Sequence, residues 1–147
     1  CLVKDEPIVL LTKDGMGIKF NSMEIGATSR ATSGVKGITL NPDDRVVAAL
    51  PVRNTSDKLG IFISTGMGKK ISLSELPIQK RAGKGLICYK GAGHIAAGCL
   101  ISDEDDVLIC GDSNSLCISA KEIPDLTRQA IGNQLIKNSK IISVSKV

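Results

Sequence analysis

Short apolar runs rich in Ile, Leu and Val alternate along this chain with turn-forming residues. Ile8-Val-Leu-Leu11, Gly60-Ile-Phe-Ile63 and Val107-Leu-Ile-Cys110 each give way to a turn and then to a second short run. That pattern predicts strands joined by tight turns. Segments 13–17 (KDGMG) and 65–68 (TGMG) place glycines as hairpin turns do, where glycine supplies a positive φ. Neither is followed by a helix or by a G-K-[ST] sequence, so a phosphate-cradling loop is not indicated there. Strand-like runs also stand at 45–50 (RVVAAL), 94–101 (HIAAGCLI) and 140–147 (KIISVSKV). No window keeps a 3.6-residue period, so helix is expected to be minor.

The runs belong to a repeat. Residues 12–20 (TKDGMGIKF) recur at 63–71 (ISTGMGKKI), a shift of 51, which also pairs Glu24 with Glu75, Arg30 with Arg81 and Gly34 with Gly85. A shift of 47 then pairs Ile71 with Ile118, Glu75 with Glu122, Pro77 with Pro124, Arg81 with Arg128 and Gly85 with Gly132. Three copies follow, at about 8–52, 60–101 and 106–147. Roughly four strands per copy is the signature of propeller blades or a related array. The expected fold is therefore all-β, a single domain over 1–147. The connectors at 53–58 and 102–106 are polar. The second, Ser-Asp-Glu-Asp-Asp, lacks the glycine and the distal glutamate of a calcium loop and reads as a solvated link.

Composition narrows the function. At 147 residues, 42% hydrophobic and 23% charged, the chain suits one globular domain. Aromatic residues make up 2% (Phe20, Phe62 and Tyr89), too few for a binder that stacks single-stranded bases. No apolar run approaches the roughly 18–20 residues of a membrane helix. The chain starts at Cys1 without Met, as a piece of something longer would. Five cysteines without a C-x-x-C, and a single histidine, His94, supply no zinc site of ordinary spacing. Buried thiols in a reducing cytosol are expected instead, with His94 structural or on the surface.

Charge changes the picture most. The net charge is +4, yet segment 60–101 alone carries Lys69, Lys70, Lys80, Arg81, Lys84 and Lys90 against Glu75. Such a local field attracts polyanions. Residues 79–85 read Gln-Lys-Arg-Ala-Gly-Lys-Gly, three cations and two glycines in a loop-like stretch. Small residues let backbone amides approach phosphates, and Lys80, Arg81 and Lys84 neutralise them. Nothing there is built to read base edges, so binding should be largely independent of sequence.

This heptad resembles the gyrase A-subunit box, Gln-Arg-Arg-Gly-Gly-Lys-Gly, with Lys80 for an Arg and Ala82 for a Gly. The surrounding copies resemble blades of the C-terminal domain of type II topoisomerase A subunits. Thr-Lys-Asp-Gly-Met-Gly at 12–17 and Arg30-Ala-Thr-Ser-Gly-Val-Lys-Gly-Ile38 fit that pattern, and Arg128-Gln-Ala-Ile-Gly132 fits in part. The resemblance spans nearly the whole chain. It implies a β-pinwheel of antiparallel blades, with a strand exchanged between neighbours and a basic rim around which duplex DNA bends. The box lies here in the second copy.

On that resemblance the DNA-binding residues are Gln79, Lys80, Arg81, Gly83, Lys84, Gly85, Arg30, Lys36, Lys69, Lys70, Lys90, Arg128 and Lys137. Arg81, whose counterparts Arg30 and Arg128 sit in weakly charged copies, either braces the blade turn or touches DNA. No catalytic or metal-binding residue is expected. Tyr89 lacks the preceding arginine of a DNA-cleaving tyrosine and reads as a blade residue. The domain needs no cofactor, whereas a parent enzyme of this kind uses ATP and Mg²⁺. Its implied partners are double-stranded DNA, the ATPase B subunit of the enzyme, and the rest of the A subunit, in a bacterial cytoplasm and with no membrane. Other readings are a topoisomerase IV A-subunit domain that steers substrate preference and a propeller for protein–protein contact. A cysteine-nucleophile enzyme is weakest, because no Cys–His pair can be argued.

Overall fold

In the computed structural model, described residues are 7–21, 38, 40, 42–54, 56–79, 83, 85–91, 93–128, 130–137 and 139–146. They form twelve strands in three sheets and no α-helix. In the first sheet, β1 (Pro7–Thr12) lies between β2 (Met16–Asn21) and β3 (Val46–Pro51), antiparallel to both. The second repeats the plan, with β4 (Lys58–Ile63) between β5 (Met67–Ser72) and β8 (Ile95–Ile101). The third places β9 (Asp106–Gly111) between β10 (Ser115–Ser119) and β12 (Ile141–Lys146). Each first strand is one of the apolar runs singled out above, and each third strand is one of the closing runs.

The outer strand of a sheet comes from the following repeat. Two short strands, β6 (Ile78–Gln79) and β7 (Leu86–Ile87), leave the second repeat and pair with β2 of the first. In the same way β11 (Asn133–Gln134), from the third repeat, pairs with β5 of the second. This is the strand exchange that the resemblance implied, and the all-β pinwheel expectation holds. Two 3-10 turns, Leu73–Glu75 and Ala120–Glu122, stand 47 residues apart and begin at the serine caps Ser72 and Ser119.

The sheets stack face to face. One apolar cluster, including Leu11, Ile61, Ile95 and Tyr89, fills the space between the first and second sheets. Another, including Phe62, Ile101, Ile109 and Ile136, fills the space between the second and third. The middle sheet is therefore buried on both faces, which is why β4 is a continuous apolar run rather than an alternating one. Cys88 is buried, Cys99 and Cys110 are half-buried and Cys117 is exposed. The expectation of buried thiols fails at Cys117 because β10 is an edge strand.

Candidate nucleic-acid interface

The two hairpin turns do more than reverse the chain. Gly15 and Gly66 have φ of 103° and 99°, as the sequence required. Their carbonyls also receive the next repeat. Gly15 O accepts from Cys88 N at 2.7 Å and Tyr89 N at 3.1 Å, and Gly66 O accepts from Leu135 N at 2.9 Å and Ile136 N at 3.3 Å. A side chain on either glycine would overlap the carbonyl oxygen of Tyr89 or Ile136. The Gly-Met-Gly repeat is thus the seam between units.

The cationic segment 79–85 starts and ends on that seam. Gln79 stands opposite Phe20 in a parallel pair, and Leu86 stands opposite Gly17 in an antiparallel one. Gly85, at φ 79°, packs so closely on Gly17 that a Cβ would overlap its carbonyl. The chain on either side of the segment therefore stands on one strand of the preceding unit. The third repeat builds the same device 47 residues on. Asp125 bridges to Lys70 in parallel, and Asn133 pairs with Gly68.

Gln79 pairs with β2 as described above and Arg128 is half-buried, while the other expected DNA-binding residues fall into three groups. Arg30, Lys36, Lys80, Arg81 and Lys84 lie outside the described residues. Gly83, Gly85, Lys90 and Lys137 are described, and the two lysines are exposed at equivalent places after the seam. Lys69 and Lys70 are 0% and 1% exposed, which corrects their assignment to a DNA-facing rim. Lys69 Nζ donates to the carbonyls of Thr127, Arg128 and Ala130, at 3.2, 2.7 and 2.6 Å. Lys70 Nζ binds Asp103 at 2.8 Å and approaches Asp125 at 3.8 Å. That hydrogen bond holds the Asp103 carboxyl below its usual range. The acidic connector is accordingly an anchor rather than a merely solvated link.

A signal for Lys69 was present in the repeat. Its slot is occupied by Ile18 in the first copy and Leu116 in the third, so the position faces inward. Lys19, the counterpart of Lys70, likewise turns to protein and donates to Leu73 O at 2.8 Å. Arg128 is half-buried, and its Nη1 donates to Ile87 O at 3.1 Å. The single tyrosine is 4% exposed and sits in the core.

Burial pushes the Lys69 ammonium down from 10.5 to about 8. Arg128 adds to this, while Cys88 and Glu75 pull the other way. The unfolded chain then binds more protons than the folded one between about 8 and 10.5. Stability should therefore rise with pH across that window. Burial raises the Cys88 and Cys99 thiols from 9.0 to about 11, which lowers stability above pH 9. Denaturant midpoints at pH 7.5 and 9 should thus show a gain in the parent protein that Lys69→Met lacks. Equal pH responses would contradict it.

With this geometry in hand, comparison with known proteins is specific. The family model described as DNA gyrase C-terminal domain, beta-propeller, matches residues 6–53 and 64–92. The DNA gyrase A subunit of Dehalogenimonas lykanthroporepellens is 38% identical over 108 residues, which cover 71% of this chain and 13% of that protein. The DNA gyrase A subunit of Borreliella burgdorferi is 31% identical over 150 residues, covering 97% of this chain and 18% of that protein. The chain thus spans less than a fifth of these relatives. A solved DNA gyrase A C-terminal domain superposes with a TM-score of 0.89 at 30% identity, over 99% of this chain and 52% of that one. The C-terminal domain of a DNA topoisomerase IV shares the fold, with a TM-score of 0.90 at 24% identity over 97% of this chain and 46% of that one. Seam, exchanged strands, matched family model and relatives agree, and the chain belongs to the DNA gyrase C-terminal domain family of β-propellers.

Proposed function

We propose that this chain is a non-catalytic duplex-DNA-binding part of the A subunit of a bacterial, ATP-dependent type II topoisomerase. It bends or wraps DNA and presents it for strand passage by other parts of that enzyme. Its partners are double-stranded DNA, the ATPase B subunit of the enzyme, and the remainder of the A subunit, in the cytoplasm. The observation that carries the reading is the cationic segment 79–85, bounded at both ends by pairing with β2 of the preceding unit. The cations of that segment, Lys80, Arg81 and Lys84, are of the kind that neutralise successive phosphates. Family membership supports the same role. Tyr89 packs in the core between the first and second sheets, as a blade residue does.

Binding of the chain to labelled duplexes of unrelated sequence, between 50 and 300 mM salt, tests the proposal. Log affinity should fall linearly with log salt, at about 0.9 per phosphate contact, and about equally for every sequence. A flat salt response, or strong preference for one duplex, would overturn it.

A further inference from the structure

Two residues that the sequence assigns to DNA are joined to each other and to the strand on which the cationic segment ends. Lys69, on β5, reaches three carbonyls of the segment that carries Arg128. Arg128 in turn reaches the carbonyl of Ile87, on β7. That strand begins one residue after Gly85 and pairs with Met16 and Gly17 of the first unit. A continuous path therefore runs from the second unit through the third, and back to the end of the 79–85 segment.

We propose that Lys69 and Arg128 form a brace that fixes β7, the strand on which the cationic segment ends, rather than a pair of DNA ligands. The hydrogen bonding leaves Lys69 no donor for a phosphate and commits Nη1 of Arg128 to the protein. The Lys69 ammonium has three donors and spends them on three carbonyls, so none is left for a phosphate. The Arg128 Nε is buried without a hydrogen-bond partner, so that edge of the guanidinium is closed to a ligand. Arg is suited to the task because its planar fork reaches a distant carbonyl in one fixed orientation. Lys69 occupies a slot that is apolar in the other two copies, as Ile18 and Leu116. Where it caps the carbonyls of the 127–130 segment, the first sheet has Ile18. Among the described residues, the carbonyls that this cation caps stand on the same segment as the arginine that touches β7.

The inference rests on the DNA-binding reading for its consequence, so its test has one arm with DNA and one without. Arg128→Met and Lys69→Met are each assayed on duplex DNA across a salt series, well below their melting temperatures. A brace predicts a loss of about 5-fold in affinity with an unchanged salt slope, because preorganisation is lost while no phosphate contact is removed. Arg128→Lys, which keeps charge but not the fork, should recover little. Without DNA, Arg128→Met should speed hydrogen exchange about 10-fold at the Cys88 and Tyr89 amides and leave Ile109, in the third sheet, unaffected. A slope reduced by about 0.9 per residue would make them DNA ligands and overturn the brace. Unchanged affinity together with unchanged exchange would overturn it equally. If the parent protein bound no DNA, the DNA-binding reading would fail, and the exchange arm would still decide the brace.

Discussion

Replacing Lys80, Arg81 and Lys84 together by Ala is expected to weaken duplex binding about 100-fold at 0.15 M salt. Each neutralised phosphate contributes about a factor of five through counterion release at that concentration. The slope of log affinity against log salt should flatten by up to about 2.7, three contacts at roughly 0.9 each. Stability should change by less than about half a kcal/mol for Lys80→Ala and Lys84→Ala, the usual effect where a charge makes no buried contact. Arg81→Ala is the informative single variant. It stands 47 residues before Arg128, which contacts a backbone carbonyl of the preceding repeat. A fall in melting temperature at Arg81→Ala alone would extend the bracing role to that position. In the whole enzyme, the triple variant should lose wrapping, read as the linking-number change on nicked circles religated with protein bound. Parental affinity and wrapping in the triple variant would remove the loop from the interface.

Phe62→Ala is expected to be the most damaging truncation for the fold. Phe62 is 0% exposed and belongs to the cluster that joins the second and third sheets. Its ring occupies room left by two glycines, since side chains at Gly60 and Gly68 would come within 3.1 and 3.3 Å of it. Those neighbours lie on the backbone and cannot collapse far into the space vacated. The cost should be about 3–5 kcal/mol. At about 2–4 °C per kcal/mol, that is a fall in melting temperature of roughly 6–20 °C. Ile142→Ala is the control. Ile142 is 63% exposed on the outer strand β12, so its loss should shift stability by no more than about 0.5 kcal/mol. Comparable losses in the two variants would mean that the second interface is not a packed core.

Much of the architecture was legible because it depends on local rules. Strands β1, β4 and β9 are apolar runs bounded by turn residues, and the turns at Gly15 and Gly66 need a positive φ that glycine supplies without strain. The 51- and 47-residue shifts exposed the repeat, and the cationic stretch at 79–85 stood out by charge alone. Less legible was the short pairing of β6, β7 and β11, whose strands are two residues each and carry no periodicity. The second function of Gly-Met-Gly was also hidden, because a seam depends on what approaches the glycine from outside.

The sequence by itself thus determined an all-β repeat, its turns and the position of its most cationic loop. Only the tertiary structure decided which repeat completes which sheet and which cations meet solvent. Lys69 and Lys90 look alike as charges on a basic segment, yet one is buried and the other exposed. The difference lies in carbonyls at Thr127, Arg128 and Ala130, between 58 and 61 residues away from Lys69. A buried ammonium is tolerated only where such acceptors replace water, and the exchanged segment of another unit brings them.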